Sequence, residues 1–361
     1  MVKFPEIGKI TEDVFNNVIY PHLGAKSVEI LVGPQHGVDV GIVRVGNFAM
    51  ALTTDPVFIV PEYGWERAAW FATHILVSDV VTSGLPPRYM SIDLNLPLSI
   101  KESEFITMWQ VISEECEKMG IAIICGHTAR YDNCNYPMVG GATVIAIGGL
   151  DEYVTPGFIK PGDKLIVTKG PAVEATGIFA TMFPRLLSRT FGEDFAKKTE
   201  EIFFMMSTYR DAMLAVQIGV RDDGVSAMHD ATECGIFGGV FELAQAASLG
   251  VRLNKDEIAV DERIQKVCDY FEIDPFKSIS EGTLLIAVRP HKAELLKEHL
   301  ESNGIRAFIC GEFIPREYGF VLIENGAEKE LAHPKVDPFW AAFYRALKSY
   351  SVLENEKNNL V

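Results

Sequence analysis

Long apolar stretches are missing first: no run of about 18 uncharged apolar residues appears, so no membrane-spanning helix is expected. The opening segment MVKFPEIGKITEDVF has no apolar core and no small-residue cleavage site, and a cytoplasmic protein is the expectation. Basic residues are scarce, 33 against 49 acidic, a formal net charge of −16. Nucleic acid and anionic lipid are therefore not expected partners, because both bind through basic patches. None of the six cysteines forms a CxxC pair, so zinc-ribbon and dithiol redox chemistry lack support, and buried reduced thiols are expected. The chain also lacks GxxxxGK[ST], a nucleophile elbow and a protein-kinase signature, so any nucleotide is held by another device.

What the chain does have is length and apolar content. At 361 residues, 48% of them hydrophobic, it exceeds what one core usually organises, and two domains are expected. Periodicity predicts a meander from Glu29–Gly33, Val40–Val45 and Phe48–Thr54, with Gly46-Asn47 as the hairpin turn. An apolar helix (65–82), a strand (88–94), an amphipathic helix (101–119) and strands at 121–126 and 138–147 follow. The Gly/Pro-rich stretch 148–163 breaks all periodicity and marks the boundary. The reading is α+β: a first domain over 1–150, a second over 151–345, and a polar tail over 346–361.

Three first-half aspartates stand out. Asp39 in GPQHGVDVG and Asp55 after FAMALTT sit where turns meet strands; each is either a turn cap or one of a converging set. Asp79 lies in a helix apolar nearly all round, where a carboxylate must be hydrogen-bonded, paired or on a metal. Oxygen donors without a histidine-rich set suit Mg²⁺ completed by substrate phosphates. His127 follows the strand IAIICG, either as a structural residue or as a general acid/base. In MHDATECGIFGG, His229, Asp230 and Thr232 precede a glycine-rich helix start, which either receives a phosphate or is merely capped. Lys169-Gly170 after LIVT is a similar loop.

Read in order, GVDVGIVRV, TTDPV, HILVSDVVTSGLPPRYMSIDLNLP, MGIAIICGHTA, GGATVIAIG, KPGDKLIVTKGPAVEATGIFA and MHDATECGIFGGVFELA resemble the successive blocks of the aminoimidazole-ribonucleotide-synthase-like (PurM-like) superfamily. The likeness spans about Gly33 to Glu312 and is strongest to its hydrogenase-maturation carbamoyl dehydratase branch. It implies a PurM-like fold: an N-terminal ATP- and metal-binding domain whose sheet packs into a barrel at a homodimer interface, and a C-terminal α/β sandwich domain. It implies ATP and Mg²⁺ as cofactors, with Asp39, Asp55 and Asp79 on the metal and Gly37, Gly126, Thr128 and Lys169 beside the nucleotide. His127, His229 and Asp230 are the catalytic candidates it implies. The implied activity is transfer of the γ-phosphate to a small-molecule carbonyl, amide or phosphate acceptor. Metal-dependent phosphate-ester hydrolysis and an ATP-binding sensor or scaffold are the alternatives. Four positions depart from the family pattern: Ser78 for the usual Asn, Cys125 for the first of a Gly-Gly pair, Ala129 for a charged residue, and Cys234 for a Gly. The last cysteine is Cys310, so synthesis of a cyanide ligand on a C-terminal cysteine, the route of that branch, is not expected.

Overall fold

The computed structural model describes residues 12–358. Its helices are α1 (Glu12–Val14), α2 (Trp65–Val81), α3 (Glu102–Lys118), α4 (Val173–Met182), α5 (Pro184–Phe191), α6 (Glu193–Glu200), α7 (Tyr209–Ala215), α8 (Gly235–Ala246), α9 (Glu262–Phe271), α10 (Ala293–Ser302) and α11 (Pro338–Asn358). Strands β1 (Ile30–Val32), β2 (Gly41–Val45), β3 (Phe48–Phe58), β4 (Pro87–Pro97), β5 (Ala122–Tyr131) and β6 (Met138–Gly149) form one sheet in the order β1-β2-β3-β6-β4-β5. Its strands are antiparallel except for the β4–β5 pair, which α3 connects. The remaining strands are β7 (Lys164–Thr168), β8 (Val225–Asp230), β9 (Gly250–Asn254), β10 (Leu284–Val288), β11 (Ala307–Ile314), β12 (Phe320–Glu324) and β13 (Ala327–Glu330). They form a second sheet in the order β13-β12-β9-β11-β7-β10-β8.

The expected meander is present, with Val43 opposite Met50 and Val45 opposite Phe48 across the Gly46-Asn47 turn. In β3, residues 49, 51, 53 and 57 turn inward and 48, 54 and 56 outward, the alternation of a sheet covered on one face only. The cover is α2, which is buried on nearly every side as its composition requires: Ala68, Phe71, Leu76, Val77 and Val80 all lie in the core. That core continues into the second half, where Ile166, Ile286 and Val288 present one face of the second sheet to it. The opposite face is sealed by Ile236, Val240 and Leu243 of α8 against Leu165, Val167 and Leu285. Truncating Leu243 to Ala would cost roughly 2–5 kcal/mol.

Several expectations are corrected. Met228–Asp230, read as part of a loop before a helix, end strand β8; that strand is buried at every residue, so no alternation betrays it. His127 lies inside β5 and Asp55 inside β3, not at strand ends. Cys125 is exposed and Cys134 half-buried, so the expectation of buried thiols holds only for Cys116, Cys234, Cys268 and Cys310. The closing helix runs to Asn358, through most of the stretch read as tail, and 359–361 lie outside the described residues.

Candidate active site

The apolar surround of α2 leaves its Asp79 one direction to face, the gap between the two sheets. There a Thr53 hydroxyl lies 3.0 Å from Asp79 Oδ2 and 3.1 Å from Asp55 Oδ2, shared between two carboxylates that one proton cannot satisfy equally. Thr53 and Asp55 are both inward positions of β3, which is why a period of two delivers them to the same face.

From the other side comes the end of β8. His229 and Asp230 are its last two residues, paired with Leu285 and Leu284 of β10. His229 Nδ1 lies 2.7 Å from Asp39 Oδ2, and its Nε2 lies 3.3 Å from Glu242 Oε2 of α8. The loop that carries Asp39 is seated by Gly37, whose φ is +72° and whose missing Cβ would fall 2.5 Å from the Glu242 carbonyl oxygen. Any side chain there would push the loop off α8 and carry Asp39 from His229.

Four aspartates thus converge from both halves, and the field they create is visible in Asp79. Burial, then the charges of Asp230, Asp55 and Asp39, push its carboxyl well above the ordinary range. Behind it, the Glu281 carboxyl is raised by burial, then by Asp230 and Glu174, while Ser78 holds it with a hydrogen bond. Glu174 accepts a hydrogen bond from the Glu281 backbone N–H at 3.0 Å, and burial pushes its carboxyl up to about 8. For His229, burial opposes the imidazolium, but the charge and hydrogen bond of Asp39, aided by Glu242, outweigh it and raise its pKa.

This donor set fits a divalent cation. Asp39, His229 and Asp230 each offer a ligand atom, all within 4.8 Å of one another, and a cation would relieve the repulsion concentrated on Asp79. The carboxylates favour Mg²⁺ or Mn²⁺.

The structure brings Asp39, Asp55, Asp79, His229 and Asp230 together. It places Gly126, His127 and Thr128 on the edge strand β5, opposite Ile92, Asp93 and Leu94 of β4. His127 Nε2 meets the Tyr131 hydroxyl at 3.0 Å. Gly126 has a packing reason of its own: a Cβ would lie 2.2 Å from the Ile92 carbonyl oxygen. The Lys169 ammonium, 2.8 Å from Asp211, also donates to the carbonyls of Ser207 and Gly282, both at 2.7 Å, a structural tie inside the second half. The N-cap of α8 is Cys234, in the left-handed region, whose N–H donates to Asp337 Oδ2 at 2.7 Å, so neither Thr232 nor Asp230 caps the helix. Sequence reasoning passed over Glu174 and took Glu281 only as part of the loop Ser280-Glu281-Gly282-Thr283, similar to Lys169-Gly170. The signal was there, a glutamate inside each of the otherwise apolar or glycine-flanked blocks SEGTLLIAV and PAVEATGIFA.

Residues 37–147 match the model of the N-terminal domain of AIR synthase related proteins, and residues 160–324 match that of their C-terminal domain. A putative hydrogenase expression/formation protein of Methanocaldococcus jannaschii is 25% identical over 325 residues, 88% of this chain and 91% of its own. The selenide, water dikinase of the same organism is 26% identical over 312 residues, 82% of this chain and 85% of its own. The crystal structure of hydrogenase maturation protein HypE in complex with ATP superposes with a TM-score of 0.64 at 19% identity, over 91% of this chain and 93% of that one. At that identity the likeness concerns the fold, which is the two-domain PurM-like fold.

Proposed function

Because this chain belongs to the AIR synthase related family, we propose that it is a Mg-ATP-dependent enzyme that transfers the γ-phosphate to an oxygen of a small-molecule carbonyl, amide or phosphate acceptor. The observation that carries this reading is the convergence of Asp39, Asp55, Asp79 and Asp230 from both halves on one half-buried gap. Isolated carboxylates packed this closely repel, and such a cluster is retained where a cation and a polyanion complete it. A kinase-type relative and a fold relative that binds ATP point the same way.

In this reading Asp39, Asp55, Asp79 and Asp230 hold Mg²⁺, which would neutralise charge on the phosphates and align them for in-line transfer. His229 orients Asp39 from the opposite half, so metal and nucleotide binding also draw the two halves together. Burial, then the charges of Asp230 and Glu174, raise the Glu281 carboxyl well above the ordinary carboxylate range, and Ser78 holds it with a hydrogen bond.

A homodimer belongs to the same proposal. Among the described residues the outward face of the first sheet has no covering layer and leaves Val45 52%, Phe48 57% and Tyr89 40% exposed, and a second copy of the same face would bury them. Localisation in the cytoplasm is proposed with it; among the described residues no helix is long and apolar enough to cross a membrane. The division into domains near residue 150 is likewise our reading.

Phosphorus NMR of the protein with Mg-ATP and pooled carbonyl, amide and phosphate acceptors tests the assignment. Appearance of ADP with a new phosphorylated product supports it, whereas failure to bind ATP at all contradicts it.

A further inference from the structure

Apart from the carboxylate gap, one serine of the second half reaches back to α2. Ser207, half-buried between the helical turn Glu201–Met205 and α7, places its Oγ 2.7 Å from His74 Nδ1. His74 Nε2 lies 3.2 Å from Glu115 Oε2 on α3, and the other Glu115 oxygen accepts from Lys118 Nζ at 2.7 Å. The Trp70 ring stacks on the imidazole, centroids 4.1 Å apart, and fixes its plane. A hydroxyl, an imidazole and a carboxylate joined in this order constitute a nucleophile, a base and the group that orients the base, whatever the fold or chain order that supplies them. A structural tie between the halves needs only the Ser207–His74 contact; the carboxylate behind the ring supplies what a base needs once it takes a proton. Glu115 is suited to that role, since its hydrogen bond to His74, opposed by burial and aided by Lys118, lowers its pKa and keeps it ionised.

We propose that Ser207 is the nucleophile of a second catalytic site, with His74 as general base and Glu115 as its orienting carboxylate, acting on activated esters of aromatic or other flat apolar acyl groups. The substrate class follows from the rim. Phe204 is 51% exposed and packs edge-on against Trp70, centroids 5.1 Å apart, an aromatic shelf beside the imidazole. With Nε2–H donating to Glu115, Nδ1 accepts the Ser207 proton as Oγ forms a bond to the ester carbonyl carbon. The ester C–O bond then breaks and the leaving alcohol takes that proton from His74. Water, deprotonated by the same nitrogen, attacks the acyl-serine, releases the carboxylic acid and restores the Ser207 hydroxyl. No oxidant or cofactor enters.

The test treats the full-length protein with a fluorophosphonate probe, locates the adduct by peptide mass spectrometry, and follows p-nitrophenyl benzoate hydrolysis in parallel. The adduct is expected on Ser207 and is lost in Ser207→Ala. In His74→Gln the labelling rate falls about 100-fold or more, the usual contribution of a general base. Glu115→Gln lowers it less, and Ser103→Ala, on an exposed serine, leaves it unchanged. An unlabelled protein, an adduct on another residue, or wild-type labelling in a folded His74→Gln overturns the proposal. Adduct mapping on the unsubstituted protein decides even where His74→Gln fails to fold.

Discussion

Asp39 Oδ2 and His229 Nδ1, 190 residues apart in sequence, meet at 2.7 Å and join the two halves at the candidate site. Removing one partner leaves the other enclosed without its counterion, so His229→Ala is expected to lose about 3 kcal/mol of stability. Urea unfolding should show a lower midpoint with an unchanged slope. A double-mutant cycle with Asp39→Asn should return a coupling energy of order 1 kcal/mol or more, and additivity would deny the tie.

Asp79 gives a prediction of opposite sign. Its charge is opposed by burial and by three neighbouring aspartates, so Asp79→Asn should raise the melting temperature of metal-free protein in EDTA. The same substitution should abolish the further rise that Mg²⁺ or Mn²⁺ gives the wild type. Calorimetry measures both, and a destabilised, still metal-responsive variant would contradict the assignment.

Glu174 sets a pH dependence. Its carboxyl titrates at about 8 when folded and 4.5 in the reference state, so between those values the folded state holds the extra proton. Stability contributed by this group is therefore complete below about 4.5 and is lost as pH rises toward 8, with a slope of at most about 1.4 kcal/mol per unit. Glu174→Gln should flatten the stability profile over that window and be more stable than wild type at pH 8. Parallel profiles for the two proteins would show that Glu174 is not the responsible group.

The first half of the fold was legible because its signals are local. Gly46-Asn47 marks the hairpin, β3 alternates, and the unbroken apolarity of α2 announces both its burial and the oddity of Asp79. The second half hid β8 because a strand buried on both faces has no period to read, and with it the fact that His229 and Asp230 end a strand facing Asp39. The glycines are instructive in another way. Gly37 and Gly126 are both explained by backbone approaches, to Glu242 and Ile92, that only tertiary structure reveals. Lys169 carries a loop-lysine signal, yet its ammonium is taken by Asp211 and two carbonyls. Ser207 and His74 lie 133 residues apart, beyond any motif.

The bare face of the first sheet predicts self-association. Light scattering should give the mass of a dimer for the wild type, and Phe48→Asp, which puts a charge on that face without touching the inward core, should shift it toward monomer. A wild-type monomer at micromolar concentration would remove the dimer from the proposal.

The central claim is that the converging aspartates form a metal-nucleotide site, and ATP turnover in the presence of Mg²⁺, compared between the wild type and Asp55→Asn with the fold of both verified, tests it most directly. The account predicts Mg²⁺-dependent release of ADP by the wild type and a loss of about 100-fold or more in the variant, as expected when charge stabilisation of a transferring phosphate is removed. Equal turnover in the two proteins, or no ATP binding by the wild type, would contradict it.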